Sequence, residues 1–268
     1  MLDSNGSTAH LSTGRPALSV VVPVRDEAAD VAPLIGEIRA ALGPIAAYEI
    51  VYVDDGSTDG TARALAEMAV PELRALRLRR PCGQSAAIRA GVRAARAPWV
   101  VTLDGDGQND PADIRKLLDA RDRAEGAAGL FVGHRRRRRD GALKRISSRI
   151  ANAVRGRLLG DRTPDTGCGL KLFPRAVFLE LPFFDHMHRF LPALFLAAGR
   201  PVVSVEVGHR PRLHGRSKYG ILDRLWVGIV DLFGVMWLRS RMREDEVEVV
   251  EGSAPAVRVP RAAGSRRC

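Results

Sequence analysis

The sequence is poor in cysteine and in aromatic residues, and each shortage excludes a class of protein. Its three cysteines, Cys82, Cys168 and Cys268, are widely spaced and form no Cys-x-x-Cys motif. Neither a disulfide framework nor a zinc site is therefore expected, and a reducing cytosol suits the chain better than a secretory compartment. Aromatic residues make up only 5% of the chain, and no nucleic-acid reader motif occurs, which disfavours a nucleic-acid-binding module.

Several signals with defined functions are also absent. Neither G-x-G-x-x-G nor G-x-x-x-x-G-K-[S/T] occurs, which removes the dinucleotide fingerprint and the P-loop. Residues 1–16 contain Ser, Thr and Gly but no apolar core. We therefore see no signal peptide there and expect a disordered lead-in.

Acidic residues are the minority charge. Lys and Arg number 42 against 31 Asp and Glu, which gives a formal net charge of +11. Such an excess indicates an anionic partner, and nucleic acid, an anionic membrane surface or a phosphorylated substrate would each satisfy it.

Short apolar runs rich in β-branched residues alternate with helical patterns in the first half of the chain. The runs start at residues 17, 48, 73, 99 and 130. Between them, VAPLIGEIRAAL, SAAIRAGVRAAR and PADIRKLLDARDRA repeat apolar residues at helical spacing. Thr58 and Asp110 occupy expected helix N-cap positions, the latter followed by Pro111. The alternation predicts a mainly parallel α/β sheet flanked by helices.

The rhythm changes after about residue 135. Residues 142–160 form a basic amphipathic pattern, 165–175 predict a short strand with a turn, and 201–207 predict a further strand. From about residue 241 the chain turns acidic and then rich in Pro, Ala and Arg, so we expect a disordered tail over 241–268.

Acidic residues collect at two predicted strand ends, in VDDGSTDG (53–60) and LDGDGQND (103–110). Ligands of open parallel sheets bind beyond the carboxyl ends of the strands. Asp104 and Asp106 are two residues apart, and the glycines between and after them let the backbone turn so that both can approach one ligand. Carboxylates of this kind suit Mg²⁺ or Mn²⁺ together with substrate phosphates. On this motif alone, a solvated turn with Asp caps is an equal alternative.

Five motifs in order resemble glycosyltransferase family 2, and the last two resemble its polyprenyl-phosphate hexosyltransferase branch, which includes dolichyl-phosphate mannose synthases. They are VDDGSTDG, GQSAAIRAG (83–91), DGDGQ (104–108), DTGCGLKLFPR (165–175) and HRPRLHGRSKYG (209–220). The resemblance spans about residues 17–240 and implies the A-type nucleotide-sugar fold of that family.

The resemblance also implies roles for individual residues. It assigns Asp54 to the nucleotide base, Asp104 to ribose and metal, and Asp165 to the neighbourhood of the acceptor. There Asp165 would orient or deprotonate the acceptor, and a structural role in the turn is an equal alternative. The remaining nucleotide-sugar set is Pro23, Arg25, Glu27 and Gln84; the metal set is completed by Asp106 and Gln108; Arg212, Ser217 and Lys218 would close over the diphosphate; and Arg135 would bind the acceptor phosphate.

Two histidines and one cysteine are of types that can bind metal or act as a nucleophile, but their sequence context favours structural roles. His186 and His188 have no third ligand at metal spacing, so a surface or packing role is the better interpretation. Cys168 lies between two glycines, which favours a small packed residue over a nucleophile. For the arginine run 135–139, a solvated loop is about as good an interpretation as binding of lipid headgroups.

Residues 221–238 form an apolar stretch that contains Asp223, Arg224 and Asp231. Placing these three charges in a bilayer would cost roughly 7–10 kcal/mol, while the ten Leu, Ile, Val and Phe residues return only about 3–6 kcal/mol. The stretch therefore predicts an interfacial amphipathic helix over 221–240, with packing on its own domain as the alternative.

Together these features predict a catalytic domain over 17–220 that transfers a hexose, with inversion, from a nucleotide-sugar to a polyprenyl phosphate. We expect it on the cytoplasmic face of the plasma membrane, held at the surface by basic residues or by an integral-membrane partner protein. A family 2 transferase with a soluble or polysaccharide acceptor is the main alternative.

Overall fold

The computed structural model describes residues 15–44, 47–125, 127–135, 156–161, 163–212 and 221–242, without the side chains of 221–227. The strands are β1 Leu18–Val24, β2 Tyr48–Asp54, β3 Leu73–Arg77, β4 Trp99–Thr102, β5 Leu130–Arg135, β6 Lys171–Pro174 and β7 Val202–Val207. The helices are α1 Ala28–Leu42, α2 Thr61–Ala66, α3 Gln84–Ala94, α4 Ile114–Arg123, α5 Arg175–Glu180, α6 Leu191–Ala197 and α7 Ile221–Arg241.

The strands form one seven-stranded sheet in the order β3-β2-β1-β4-β6-β5-β7. All pairs are parallel except those of β6, which runs antiparallel to both β4 and β5. The central strands are buried on both faces, as their continuous apolar runs require in a helix-covered sheet. All seven predicted strands and the mainly parallel sheet are confirmed.

Each face of the sheet has its own apolar core. On one face, Val20 and Val22 of β1 pack with Ile35 of α1 and Leu117 of α4. On the other, Val21 packs with residues of α3, α5 and α6. A Cβ at Gly91 of α3 would overlap the Cγ1 atom of Val21, so the absent side chain sets how closely α3 lies against the sheet.

One predicted N-cap is confirmed and the other is wrong. Asp110 Oδ1 accepts the backbone N–H of Ala112 at 2.9 Å, with Pro111 opening the 3₁₀ turn that leads into α4. Thr58 does not cap α2, which begins only at Thr61. Asp59 Oδ1 accepts the Thr61 N–H at 2.9 Å, while the Thr58 N–H donates to Asp26 Oδ1 at 2.7 Å. Thr58 is instead hydrogen-bonded to the loop that follows β1.

The stretch predicted as an interfacial helix is helical, as α7, and one of its sides packs on the domain. Val235 is buried against Leu159, Phe190 and Ala193. The Asp231 carboxylate lies 3.0 Å from His186 Nδ1, so this charge faces the domain. Within the described part of the chain, no helix is both long and apolar enough to cross a bilayer.

The predictions about the two chain ends and the basic segment concern mainly residues that the structure does not describe. Those for 1–16 and 241–268 lie outside the described residues except at positions 15–16 and 241–242. Of the predicted basic helix 142–160, only 156–160 are described, and 156–159 are helical.

The packing interpretation of the histidine pair and of Cys168 is confirmed. Ser85 Oγ lies 2.7 Å from His188 Nδ1 and also accepts the His188 N–H at 3.2 Å, which fixes the segment before α6 against α3. Cys168 is fully buried. Burial, assisted by the positive charge of Lys171, lowers the pKa of His188 well below its usual value.

This lowered pKa predicts a pH-dependent stability. The folded protein favours neutral His188, so its contribution is complete above the unfolded pKa of 6.5 and is lost as the pH falls below it. We expect replacement of His188 by Asn to reduce the acid-side slope of unfolding free energy by up to about 1.4 kcal/mol per pH unit. Urea unfolding between pH 5 and 8 measures this slope. An unfolding slope in His188→Asn equal to that of the wild type would contradict the assignment.

Candidate functional site

The candidate site lies where β1, β2 and β4 end side by side. The strand register places Val24 opposite Asp54, the last residue of β2. The DGD turn of residues 104–106 follows β4 directly after Leu103. A Cβ at Gly105 would overlap Val24 Cγ1 and lie 3.1 Å from the Pro23 carbonyl oxygen. Glycine is therefore required for the turn to approach β1, and the two aspartates project from either side of it.

Asp104 is held from α3 and from the loop before β6. Gln84 Nε2 donates to Asp104 Oδ1 at 2.9 Å, and a Cβ on Gly169 would overlap the Asp104 carboxylate. Burial and the like charge of Asp106 raise the pKa of Asp104 to about 6, against the lowering effect of Lys171 and Arg135. A further cation bound at the site would therefore stabilise the ionised form of Asp104.

Asp106 is paired with an arginine from the segment after β7. Arg212 Nη2 lies 2.6 Å from Asp106 Oδ2, and the backbone N–H of Gln108 donates to Asp106 Oδ1 at 3.1 Å. Glu27, after β1, lies 4.0 Å from the same arginine nitrogen. Burial raises the pKa of Glu27 to about 7 although Arg212 opposes the shift. Two carboxylates, those of Asp106 and Glu27, thus lie within 4.0 Å of one guanidinium nitrogen.

Asp54 and Asp55 hold two different loops. Asp54 is 1% exposed, and its Oδ1 accepts the Ser57 N–H at 2.8 Å while Arg77 Nε lies 3.3 Å from Oδ2. Contact of Asp54 with a nucleotide base stays a prediction, and it would require Arg77, whose side chain is 60% exposed, to give way at Oδ2.

Asp55 is a residue that sequence reasoning missed. Its two oxygens accept the backbone N–H groups of Cys82 and Gly83 at 2.7 and 2.9 Å. These contacts fix the loop immediately before Gln84 and so aim that side chain at Asp104. Asp55 is the second aspartate of VDDGSTDG, and the motif resemblance assigned a role only to the first, Asp54.

The loop after β1 carries the other predicted nucleotide-sugar residues. Pro23 is half-buried in β1, and Arg25 Nε lies 4.0 Å from Asp26 Oδ2 with 43% of its side chain exposed. Asp26 has a φ of 53°, and its N–H donates to Ser57 Oγ at 2.9 Å. The loop is therefore bound to the turn after β2, which brings both acidic strand ends into one surface.

A second charged group lies beneath the DGD turn. Arg135, the last residue of β5, makes a two-point contact with Asp165: Nε to Oδ2 at 2.7 Å and Nη2 to Oδ1 at 2.9 Å. Lys171, which sequence reasoning also missed, is 3% exposed and pairs in register with Thr102, the last residue of β4. Its ammonium donates to the Cys168 carbonyl oxygen. Burial lowers the pKa of Lys171, while Cys168, Asp104 and Asp165 act in the opposite direction.

The structure thus brings together the predicted residues from six separate stretches of sequence: Glu27, Gln84, Asp104, Asp106, Gln108, Arg135, Asp165 and Arg212. Ser217 and Lys218 lie outside the described residues. The roles of all these residues stay predictions.

The donor set suits a divalent cation that also binds a ligand. Among the described residues, no three His, Cys, Asp or Glu side chains form a ready metal cluster. The DGD turn supplies two carboxylates, and the raised pKa of Asp104 shows that they repel each other. Mg²⁺ commonly binds through one or two carboxylates and completes its shell with water and substrate phosphates.

Comparison with known proteins places this arrangement in context. A family model described as glycosyl transferase family 2 matches residues 19–181. The chain is 40% identical over 228 residues to the dodecaprenyl-phosphate galacturonate synthase of Rhizobium johnstonii, covering 82% of this chain and 66% of that protein. It is 34% identical over 209 residues to the undecaprenyl-phosphate 4-deoxy-4-formamido-L-arabinose transferase of Aeromonas hydrophila, covering 76% and 63%. The chain thus spans a little less than two thirds of the length of these curated relatives.

A solved structure shows the same fold at low sequence identity. Glucosyl-3-phosphoglycerate synthase from Mycobacterium tuberculosis, in complex with uridine diphosphate, aligns with a TM-score of 0.62 and 21% identity. The alignment covers 89% of this chain and 85% of that one. The expected A-type fold is confirmed by this likeness and by the family match.

The close approach of Gly169 to Asp104 gives a test of the site. We expect Gly169→Ala to displace the Asp104 carboxylate and to weaken Mn²⁺ binding by about 10- to 100-fold, the usual cost of disturbing the support of a metal ligand. Electron paramagnetic resonance of free Mn²⁺, titrated with UDP or GDP present, measures the affinity. Gly36→Ala in α1, where a Cβ would meet nothing within 4 Å, is the control and should leave Mn²⁺ binding unchanged. Unaltered affinity in Gly169→Ala would contradict a role of Asp104 in metal binding.

Proposed function

The chain belongs to glycosyl transferase family 2, and on that premise we propose that it transfers a sugar, with inversion, from a nucleotide-sugar to a polyprenyl phosphate. The observation that carries the proposal is the pairing of acidic and basic groups at one sheet edge. Arg212 lies 2.6 Å from Asp106 there, and the charge of Arg135 acts on Asp104. Such an edge can receive two phosphate-bearing substrates at once.

Residues 17–220 form the proposed catalytic domain, and the donor lies across the ends of β1, β2 and β4. Pro23, Arg25, Glu27 and Asp54 border the base and ribose, and Gln84 stands beside Asp104. Arg212, with Ser217 and Lys218 of the following segment, binds the diphosphate. Positive groups placed where negative charge accumulates on a departing diphosphate stabilise the transition state.

Asp104, Asp106 and Gln108 would hold Mg²⁺ or Mn²⁺, whose positive charge would assist departure of the diphosphate. The two carboxylates fit this role because their mutual repulsion, visible in the raised pKa of Asp104, is relieved by a cation. In its absence Arg212 supplies the positive charge at Asp106.

The acceptor is a phosphate monoester on a polyprenyl lipid. The phosphate group carries roughly 1.5 to 2 negative charges at neutral pH, so its oxygen needs no strong base to act as a nucleophile. Direct attack on the anomeric carbon inverts its configuration. Support for this acceptor comes from the curated relatives, whose names specify dodecaprenyl and undecaprenyl phosphate. Those names also specify different sugars, so the proposal is limited to a sugar and does not extend to a hexose.

Helix α7 provides the proposed contact with the membrane. Its outward side exposes Ile229, Val230, Phe233 and Trp237, the last two by 63% each. Arg157 and Arg241 are exposed close to its packed end. An apolar stripe with aromatic residues and nearby arginines suits the headgroup boundary of an anionic bilayer.

The expected location is the cytoplasmic face of the plasma membrane. Cys82 and Cys168 are free thiols among the described residues, in keeping with a reducing compartment. An integral-membrane partner protein is a further proposed anchor, and nucleic acid has no place in this scheme.

Removing one carboxylate tests the reaction. We expect Asp106→Asn to lower transfer by about 100-fold or more, because a carboxylate that would hold the cation beside the departing diphosphate is lost. The assay supplies radiolabelled UDP- and GDP-sugars, Mn²⁺ and undecaprenyl phosphate to the purified chain. Asp119→Asn, an exposed aspartate on α4, is the matched control and should keep wild-type activity. Full activity of Asp106→Asn, or equal transfer to a soluble acceptor when the lipid phosphate is omitted, would refute the proposal.

The outward side of α7 is tested separately. We expect the double substitution Phe233→Ser and Trp237→Ser to abolish sedimentation with vesicles that contain phosphatidylglycerol, while the fold is retained because both side chains face outward. Phe183→Ser, at an exposed phenylalanine on another segment, is the control. Equal sedimentation of the double variant and the wild type would exclude this face as the membrane contact.

A further inference from the structure

We propose that Asp165 is a positioning residue, which holds the Arg135 guanidinium in the orientation that binds the acceptor phosphate, and that it does not act as a proton acceptor. The inference rests on the proposed function, since it concerns the acceptor of that reaction.

The first argument is the geometry of the pair. Nε and Nη2 of Arg135 donate to separate oxygens of Asp165, at 2.7 and 2.9 Å. The backbone N–H of Arg135 donates to Asp165 Oδ2 as well, at 3.3 Å. Only 11% of the Arg135 side chain and 6% of the Asp165 side chain are exposed. A two-point contact in such a setting fixes the plane of the guanidinium as well as its position.

The second argument concerns what this contact leaves available. A guanidinium has five N–H donors, and the side chain of Asp165 engages one on Nε and one on Nη2. The donors on Nη1 and the second on Nη2 are not engaged by these contacts. They can meet a phosphate, whose oxygens match the fork of an arginine.

The third argument is the place of Arg135 in the sheet. β5 and β4 are both antiparallel to β6, so they run in the same direction and end at the same edge. Arg135 closes β5 there, and Thr102 of β4 and Val132 of β5 both pair with Lys171 of β6. Asp104 and Arg135 therefore follow two and three residues beyond one level of the sheet. A phosphate bound by Arg135 would therefore lie next to the proposed donor site.

The remaining argument is the unsuitability of Asp165 as a base. Both its oxygens already accept hydrogen bonds from the Arg135 guanidinium, so Asp165 could take a proton from the acceptor only by giving up part of this two-point contact. Burial alone would lower the pKa of Arg135, but the hydrogen bonds and charge of Asp165 outweigh burial and raise it. Arg135 thus keeps its charge for the phosphate, and a phosphate nucleophile arrives without a proton that must be removed.

The test measures binding and turnover with farnesyl phosphate, a short and soluble polyprenyl phosphate, with farnesol as the probe that lacks phosphate. The variants are Asp165→Asn, Arg135→Gln and the double variant. We expect each single variant to weaken farnesyl phosphate binding about tenfold, a common size for coupling between contacting residues. If Asp165 acts only through Arg135, the double variant should bind no worse than Arg135→Gln.

Kinetics distinguish positioning from base catalysis. Positioning predicts a raised KM for farnesyl phosphate in Asp165→Asn, a nearly unchanged kcat at saturating acceptor and an unchanged acid limb of the pH–rate profile. Loss of a general base predicts instead a fall in kcat of about 100-fold or more and disappearance of that limb, with KM little changed. The second pattern, or multiplicative losses in the double variant, would overturn the proposal.

Two further measurements keep the outcome clear. Asp165→Asn leaves a buried arginine unpaired and can lose stability on that account, whereas the double variant removes both charges. Thermal melting identifies such a loss, and a folded double variant that binds farnesyl phosphate as well as the wild type would then overturn the inference. Asp122→Asn, which breaks the exposed pair with Arg121, controls for loss of an Asp–Arg contact as such.

A wild-type chain that binds Mn²⁺ and nucleotide but not farnesyl phosphate would overturn the proposed acceptor itself, and the positioning role with it. Binding and transfer by the wild type combined with the base-like pattern in Asp165→Asn would overturn the positioning role alone.

Discussion

Repulsion between two neighbouring carboxylates organises this end of the molecule. Asp104 and Asp106 are forced together by a glycine turn that has no room for a side chain against β1, and burial together with the charge of Asp106 raises the pKa of Asp104. Charges of one sign in a partly buried place require compensation from the rest of the fold. Arginine and lysine side chains around the turn supply this compensation, and each comes from a different segment of the chain.

The same compensation explains why a strongly basic chain has an acidic ligand edge. Arg212 reaches Asp106 from the segment after β7, Arg135 closes β5, and Lys171 opens β6 beneath the turn. Positive side chains from three segments thus lie near the carboxylates of the DGD turn. The positive excess of the sequence is in part an internal requirement of the site, and in part, through α7 and its neighbouring arginines, a feature of the surface.

Much of the fold and part of the site could be predicted from local sequence. The strands were recognisable because each is a short apolar run, and the DGD turn because glycines flank its aspartates. Lys171 could not be found that way, since only the insertion of β6 beside β4 brings it opposite Thr102. Asp55 was missed because two adjacent aspartates look alike until the turn aims one at Ser57 and the other at the loop before α3. α6 escaped notice because LPALFLA is buried over most of its surface and shows no helical stripe.

The strand order has a consequence for how the molecule assembles. β6 lies between β4 and β5 although it follows both along the chain, so those two strands cannot pair with each other and must leave a gap until β6 arrives. Closing that gap requires a contact between residues far apart in sequence, which is entropically slow. We therefore expect β1 to β4 to condense before β5, β6 and β7 join the sheet. A chain arrested before β6 docks would present two unpaired strand edges, the form of a folding intermediate that is most prone to aggregate.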